Sequence, residues 1–103
     1  MKIFHIVKPI DWEAGTENGQ FRASTLEKEG FIHCCKENQI QFVLGTWFSG
    51  QSELFLVTIE TDKLESPVLF EKSEADQESF PHVYGPVNLD AVVDNQPREK
   101  ESK

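Results

Sequence analysis

The run Leu54-Phe55-Leu56-Val57-Thr58-Ile59 constrains this chain more than any other stretch. It is apolar at alternate positions of both parities. Successive side chains of a strand point to opposite faces, so a strand of this composition needs cover on both sides. A chain of 103 residues meets that need as one small domain whose other elements wrap around the strand. One piece of that cover is readable just upstream. Ile40, Val43, Leu44, Trp47 and Phe48 fall at i, i+3, i+4, i+7 and i+8. That spacing is one apolar helical stripe, and it predicts the main helix over about 36–48, closed by Ser49-Gly50.

The remaining elements are shorter. Residues 2–8, KIFHIVK, carry β-branched and aromatic side chains and read as a first strand. Pro9 ends it, and a short helical turn over Ile10–Ala14 follows. GTENGQ (15–20) reads as an exposed loop of turn formers. Ser24-Thr25-Leu26-Glu27 has the spacing of a capping box, opening a single turn that Gly30 stops. Strands are expected over Gly30–Cys34, Pro67–Glu71 and Asp90–Asp94, with a solvated acidic loop at 71–78 between the last two. Together these predict an α+β domain over 1–96, built on a small mixed, mainly antiparallel sheet with one main helix. Residues 97–103 read as a disordered tail.

Composition narrows the function classes. The formal net charge is −8, and the tail is slightly basic, so the body is more acidic still. An acidic body without a basic stripe repels phosphate backbones, which argues against nucleic acid as a partner. No apolar run approaches the ~20 residues that span a bilayer, and Met1-Lys2-Ile3-Phe4-His5 does not read as a signal peptide. The two cysteines are the neighbours Cys34 and Cys35, which cannot staple distant segments. The expectation is a reduced, cytoplasmic monomer whose partner is a small molecule.

Three histidines head the candidate site residues: His5, His33 and His82. They lie too far apart in sequence for the short local motifs that hold zinc, so no metal ligand set is assigned. Each has a plain structural reading as well. Cys35 sits where the main helix begins, and a helix N-terminus would lower its pKa toward a reactive thiolate. Cys34 alternates with Ile32 and faces the core. Phe80-Pro81-His82-Val83-Tyr84-Gly85-Pro86 is stiffened by two prolines and presents His82 and Tyr84 on one side. It reads either as a rigid pocket wall or as a tight structural corner. Arg22 can anchor an anion through its planar fork, or simply face solvent. Glu71, at the head of the acidic loop, reads as solvated.

The first-strand His5, the segment Gly30-Phe31-Ile32-His33-Cys34, Gln39 in the following helix, and Phe80–Pro86 together resemble an uncharacterised bacterial family, domain of unknown function 952. The resemblance spans about residues 2–94. The family usually carries Ser where this chain has Cys35. Its distant similarity to the ADP-ribosyltransferase-like fold implies a split sheet with a cleft for NAD. On that resemblance His33, His82 and Glu71 are the catalytic candidates. His5, Arg22, Cys35, Gln39 and Tyr84 are the ligand-binding ones. The implied function is binding of NAD, or a related nucleotide or phosphorylated ligand, with substitution at a ribosyl carbon. The alternative is a non-catalytic ligand-binding or protein-interaction module.

Overall fold

The computed structural model describes residues 1–51, 53–72 and 78–99. The chain runs through β1 (Lys2–Val7), α1 (Pro9–Gly15), β2 (Thr16–Glu17), β3 (Gln20–Phe21), α2 (Ser24–Glu29) and β4 (Ile32–His33). It continues through α3 (Ile40–Trp47), β5 (Glu53–Glu60), β6 (Val68–Lys72), β7 (Ser79–Val83), β8 (Val87–Asn88) and β9 (Val92–Glu99). Single 3-10 turns occupy Glu37–Gln39, Thr61–Lys63 and Leu89–Ala91. Three small sheets result, with strand orders β1-β5-β9, β2-β3-β8 and β4-β7-β6. Every pairing among them is antiparallel, so the α+β reading stands and the mixed component does not.

β5 holds the centre of its sheet, and both faces are covered as its composition demands. On one side Phe4, Ile6, Leu54 and Leu56 pack with Ile40, Val43, Leu44 and Phe48 of the α3 region. On the other, Ile3, Val7, Val57 and Ile59 meet Phe21, Ile32, Cys34, Val83, Val87 and Ala91 from the two smaller sheets and their connections. Burying such side chains stabilises by roughly 1.5–3 kcal/mol each before entropy is counted.

Several local expectations are corrected. The segment 15–20 is not a bare loop. Asn18 (φ 55°) and Gly19 (φ 79°) take two successive left-handed conformations, the turn that closes the β2–β3 hairpin. Ser24 does not cap α2; Ala23 is the N-cap, and no side-chain cap bond forms. Gly30 does end that helix, at φ 91°. The main helix starts later than expected, because Glu37–Gln39 winds as a 3-10 turn before Ile40. Its stripe is also shorter: Trp47 remains 67% exposed. Periodicity reports which face is apolar, not how far the sheet beneath it extends.

The Phe80–Pro86 segment is mostly strand, since β7 runs from Ser79 to Val83. The expected acidic loop keeps Glu71 and Lys72 in β6, and 73–77 lie outside the described residues. The last strand begins at Val92, after a 3-10 turn, and continues through Pro97 to Glu99. It therefore enters the expected tail. Pro97 is tolerated because β9 is an edge strand of its sheet. Residues 100–103 lie outside the described residues. Among the described residues, no helix is long and apolar enough to cross a membrane.

Two glycines test this packing in opposite directions. A Cβ on Gly15 would collide with the Arg22 carbonyl and sit 2.9 Å from the Phe21 ring, whereas Gly45 has open space around it. Gly15→Ala should lower stability by about 1–3 kcal/mol through overpacking. Gly45→Ala, inside α3, should raise it by about 0.5–1 kcal/mol. Urea denaturation of both variants checks the pair, and equal effects would contradict this geometry.

Candidate functional site

The site grows out of strand alternation in the β4-β7-β6 sheet. Ile32, Pro81 and Val83 are buried, which turns their neighbours outward. In register His33 lies opposite His82, and His82 lies opposite Leu69. Glu71, opposite Phe80, shares the same outer face. The outer side chains therefore meet although they come from three separate segments. The His33 and His82 rings are 5.3 Å apart, centroid to centroid. Phe31 stacks on His82 at 4.2 Å and 19°, and lies 4.9 Å from His33 and 5.3 Å from Tyr84.

Two carboxylates set the tautomers. His82 Nδ1–H donates to Glu71 Oε1 at 2.7 Å, and the Tyr84 hydroxyl donates to the same oxygen at 2.6 Å. His33 Nε2–H donates to Glu29 Oε1 at 3.1 Å. A carboxylate only accepts, so each neutral imidazole keeps its proton on the bonded nitrogen. His82 then offers Nε2 and His33 offers Nδ1 as lone-pair acceptors. The Tyr84 bond, followed by the His82 bond, holds the Glu71 carboxyl below its usual range. The bond to Glu71 holds the Tyr84 hydroxyl above its own. His82 is largely covered, with a side-chain exposure of 13%, while His33 is open at 52%.

Of the sequence-derived candidates, His33, His82, Glu71 and Tyr84 come together. The other four do not join them. His5 is buried on the inner side, where Nδ1–H donates to the His33 carbonyl at 2.7 Å and Nε2 has no partner. It supports the site strand from behind. Cys35 is also buried, bridged through its backbone to Phe4. Burial pushes its thiol up to about 12, opposite to the expected activation by a helix N-terminus. Burial likewise pushes Cys34 up. The Gln39 amide is taken up by structure: Nε2–H donates to the Ser79 carbonyl and to Glu78, and Oε1 accepts from Lys36 N–H. Arg22 is exposed after β3, with its backbone N–H donating to the Gly15 carbonyl.

Two members of the cluster escaped sequence reading. Phe31 carried a signal, since it alternates with His33 and so shares its face. Glu29 carried none, because the Gly30 turn separates it from β4. An open groove lined by Lys2, Phe4, Glu37, Thr58, Val93 and Asp94 contains no member of the cluster. Among the described residues, no group of three or more His, Cys, Asp or Glu side chains is arranged to hold a metal ion.

A small antiparallel α+β domain with an imidazole–carboxylate cluster on its outer sheet face is the class that fold and site define. The chain belongs to the family described as protein of unknown function DUF952, whose model matches residues 6–95. It is similar to the crystal structure of protein CC0527 from Caulobacter crescentus, with a TM-score of 0.86 at 27% identity, covering 99% of this chain and 90% of that one. It is likewise similar to the solution NMR structure of CC0527, with a TM-score of 0.80 at 27% identity, covering 98% and 87%. No curated protein matches the chain.

Two measurements test the electrostatics. Burial, opposed by the bond to the His33 carbonyl, lowers the His5 pKa to about 4. An unfolded imidazole takes up its proton near ~6.5, so stability is complete above that pH and falls as pH drops toward about 4. The loss should reach at most about 3 kcal/mol, and His5→Gln should remove that slope from the pH dependence of urea unfolding. Separately, Tyr84→Phe should raise the Glu71 midpoint toward the ordinary carboxylate range, read by carboxyl carbon NMR. An unmoved midpoint would mean that the Tyr84 bond does not hold Glu71 ionised.

Proposed function

We propose that the outer face of the β4-β7-β6 sheet is a ligand-binding and acid–base site for a small nucleotide-like or phosphorylated molecule. NAD, with ADP-ribosyl-transfer chemistry on an ADP-ribosyltransferase-like fold, is the particular case that the family resemblance implies. One observation carries the reading: two imidazoles sit side by side, each with one nitrogen bonded to a carboxylate and the other left to accept a proton.

Each residue has a role in this reading. His82 is the general base: Glu71 orients its ring, and its Nε2 can take the proton of an attacking hydroxyl. His33 binds the ligand; a nicotinamide leaving group departs neutral and needs no proton from it. Phe31 and Tyr84 supply ring surface for a planar group. In ribosyl substitution, the bond from ribose to the leaving base breaks with its electron pair going to that base. The attacking oxygen bonds to the ribosyl carbon, and its proton passes to His82. Glu71 works as a positioning residue, because its Oε1 already accepts from both His82 and Tyr84. That double engagement also favours the second reading, a binding module without chemistry, in which the same side chains only recognise a ligand.

Titration with NAD, ADP-ribose and a short RNA at two ionic strengths, followed by amide NMR, tests the reading. Shifts clustered on Phe31, His33, His82 and Tyr84 with NAD or ADP-ribose are expected, and salt-sensitive RNA binding instead would overturn it. If nicotinamide is released, His82→Gln should slow release by about a hundredfold or more. Binding retained without any release would select the second reading.

A further inference from the structure

We infer that the group recognised on this face is a planar organic cation, an amidinium or an N-alkylated aromatic ring. The inference rests on the ligand-site reading above and adds the charge class of the part that meets the cluster. It begins from charge. The cluster holds two carboxylates, Glu29 and Glu71, against two imidazoles, and among the described residues none of its ion pairs or hydrogen bonds involves Lys or Arg. With both imidazoles neutral its formal charge is −2; with both protonated it is zero. In neither state does an anion gain from the local charge, and the chain's net −8 adds to its repulsion. A cation is favoured by the net charge in either state, and by the local charge whenever an imidazole is neutral.

Shape and surface make the same choice. The face is a floor of rings and aliphatic groups bordered by carboxylates. Phe31 lies within ring contact of both His82 and Tyr84, and Leu69, which sits opposite His82 in register, is 49% exposed beside them. A flat ligand covers Leu69 and the ring edges, while a positive charge gains from aromatic faces. Glu71 remains ionised, and its Oε1 is taken by His82 and Tyr84, so Oε2 is the oxygen that meets the ligand. A forked N–H donor would reach it as a charge-assisted hydrogen bond. The same carboxylate thus orients the base and selects the charge of what lies next to it.

Benzamidine, benzamide and benzoate share one planar frame and differ in charge, which makes them the probes. Each is titrated into the full-length protein at pH 7.5, with inorganic phosphate as a fourth, and amide and side-chain NMR shifts are followed. Benzamidine should shift Phe31, His33, His82 and Tyr84 and bind at least about tenfold more tightly than benzoate, as expected for a hydrogen bond to a charged group. Its affinity should fall as salt rises from 0.05 to 0.5 M. Glu71→Gln should weaken it about tenfold, whereas Glu17→Gln on the β2–β3 hairpin should leave it unchanged. Benzoate or phosphate binding at the cluster as tightly as benzamidine overturns the charge assignment and leaves the ligand-site reading standing. If none of the four probes moves these resonances, the charge assignment falls. Silence to NAD and ADP-ribose as well removes the ligand-site reading with it.

Discussion

Cover on both faces of β5 is the demand that organises the molecule. Val57 and Ile59 point one way and Leu54 and Leu56 the other, and none can be left in water without losing the burial that offsets chain entropy. α3 can serve only one side. The other side must be closed by whatever the rest of the chain provides, and that is two small sheets carrying Phe21, Ile32, Val83 and Val87. Because β4 and β7 give their inner side chains to that task, alternation sends His33 and His82 to the outside. The candidate site is thus a by-product of core formation: the face left over when the other is buried.

The joint between the two packed sheets lies at residues 33–35. Cys34 N–H donates to the Pro81 carbonyl, keeping the chain against β7, and Cys35 exchanges two backbone bonds with Phe4 of β1. His5 adds a side-chain bond from β1 to the His33 carbonyl. Burial keeps that imidazole neutral, which suits a group whose Nε2 meets no partner. An orphaned acceptor nitrogen costs less inside a core than an orphaned charge. The outward His33 is therefore carried on a strand tied to the central sheet, and its ring position follows from packing rather than from loop flexibility. The four side chains that do not join the cluster are engaged differently. His5, Cys35 and Gln39 hold the scaffold, while Arg22 faces solvent.

Elements with a strong period were readable in advance. The two-faced run at 54–59 named the central strand, and the stripe from Ile40 to Phe48 named the helix that covers it. Family-like segments around His33 and His82 marked the residues that meet on the outer face. Weakly patterned pieces were not readable. An Asn-Gly turn in a polar stretch looked like loop until a second strand paired with it. Val92–Glu99 looked like a strand followed by tail because its ladder is formed with β5, which lies some forty residues away.

What the sequence determined by itself was the period of each element and hence which side chains share a face. That property is local, set by backbone geometry over a few residues. It was enough to identify an α+β chain and to put His82 with Tyr84. The tertiary structure alone decided which faces turn inward, because burial depends on what arrives from elsewhere in the chain. It took His5 into the core, closed Cys35 off from solvent, and turned Gln39 into a brace between the start of α3 and the start of β7. It also brought Glu71 and Glu29 to the imidazoles across a strand pair and a glycine turn. Those two contacts set the tautomers of the neutral imidazoles and place a carboxylate beside each. They depend on antiparallel register and on one left-handed residue, neither of which leaves a periodic trace in the sequence.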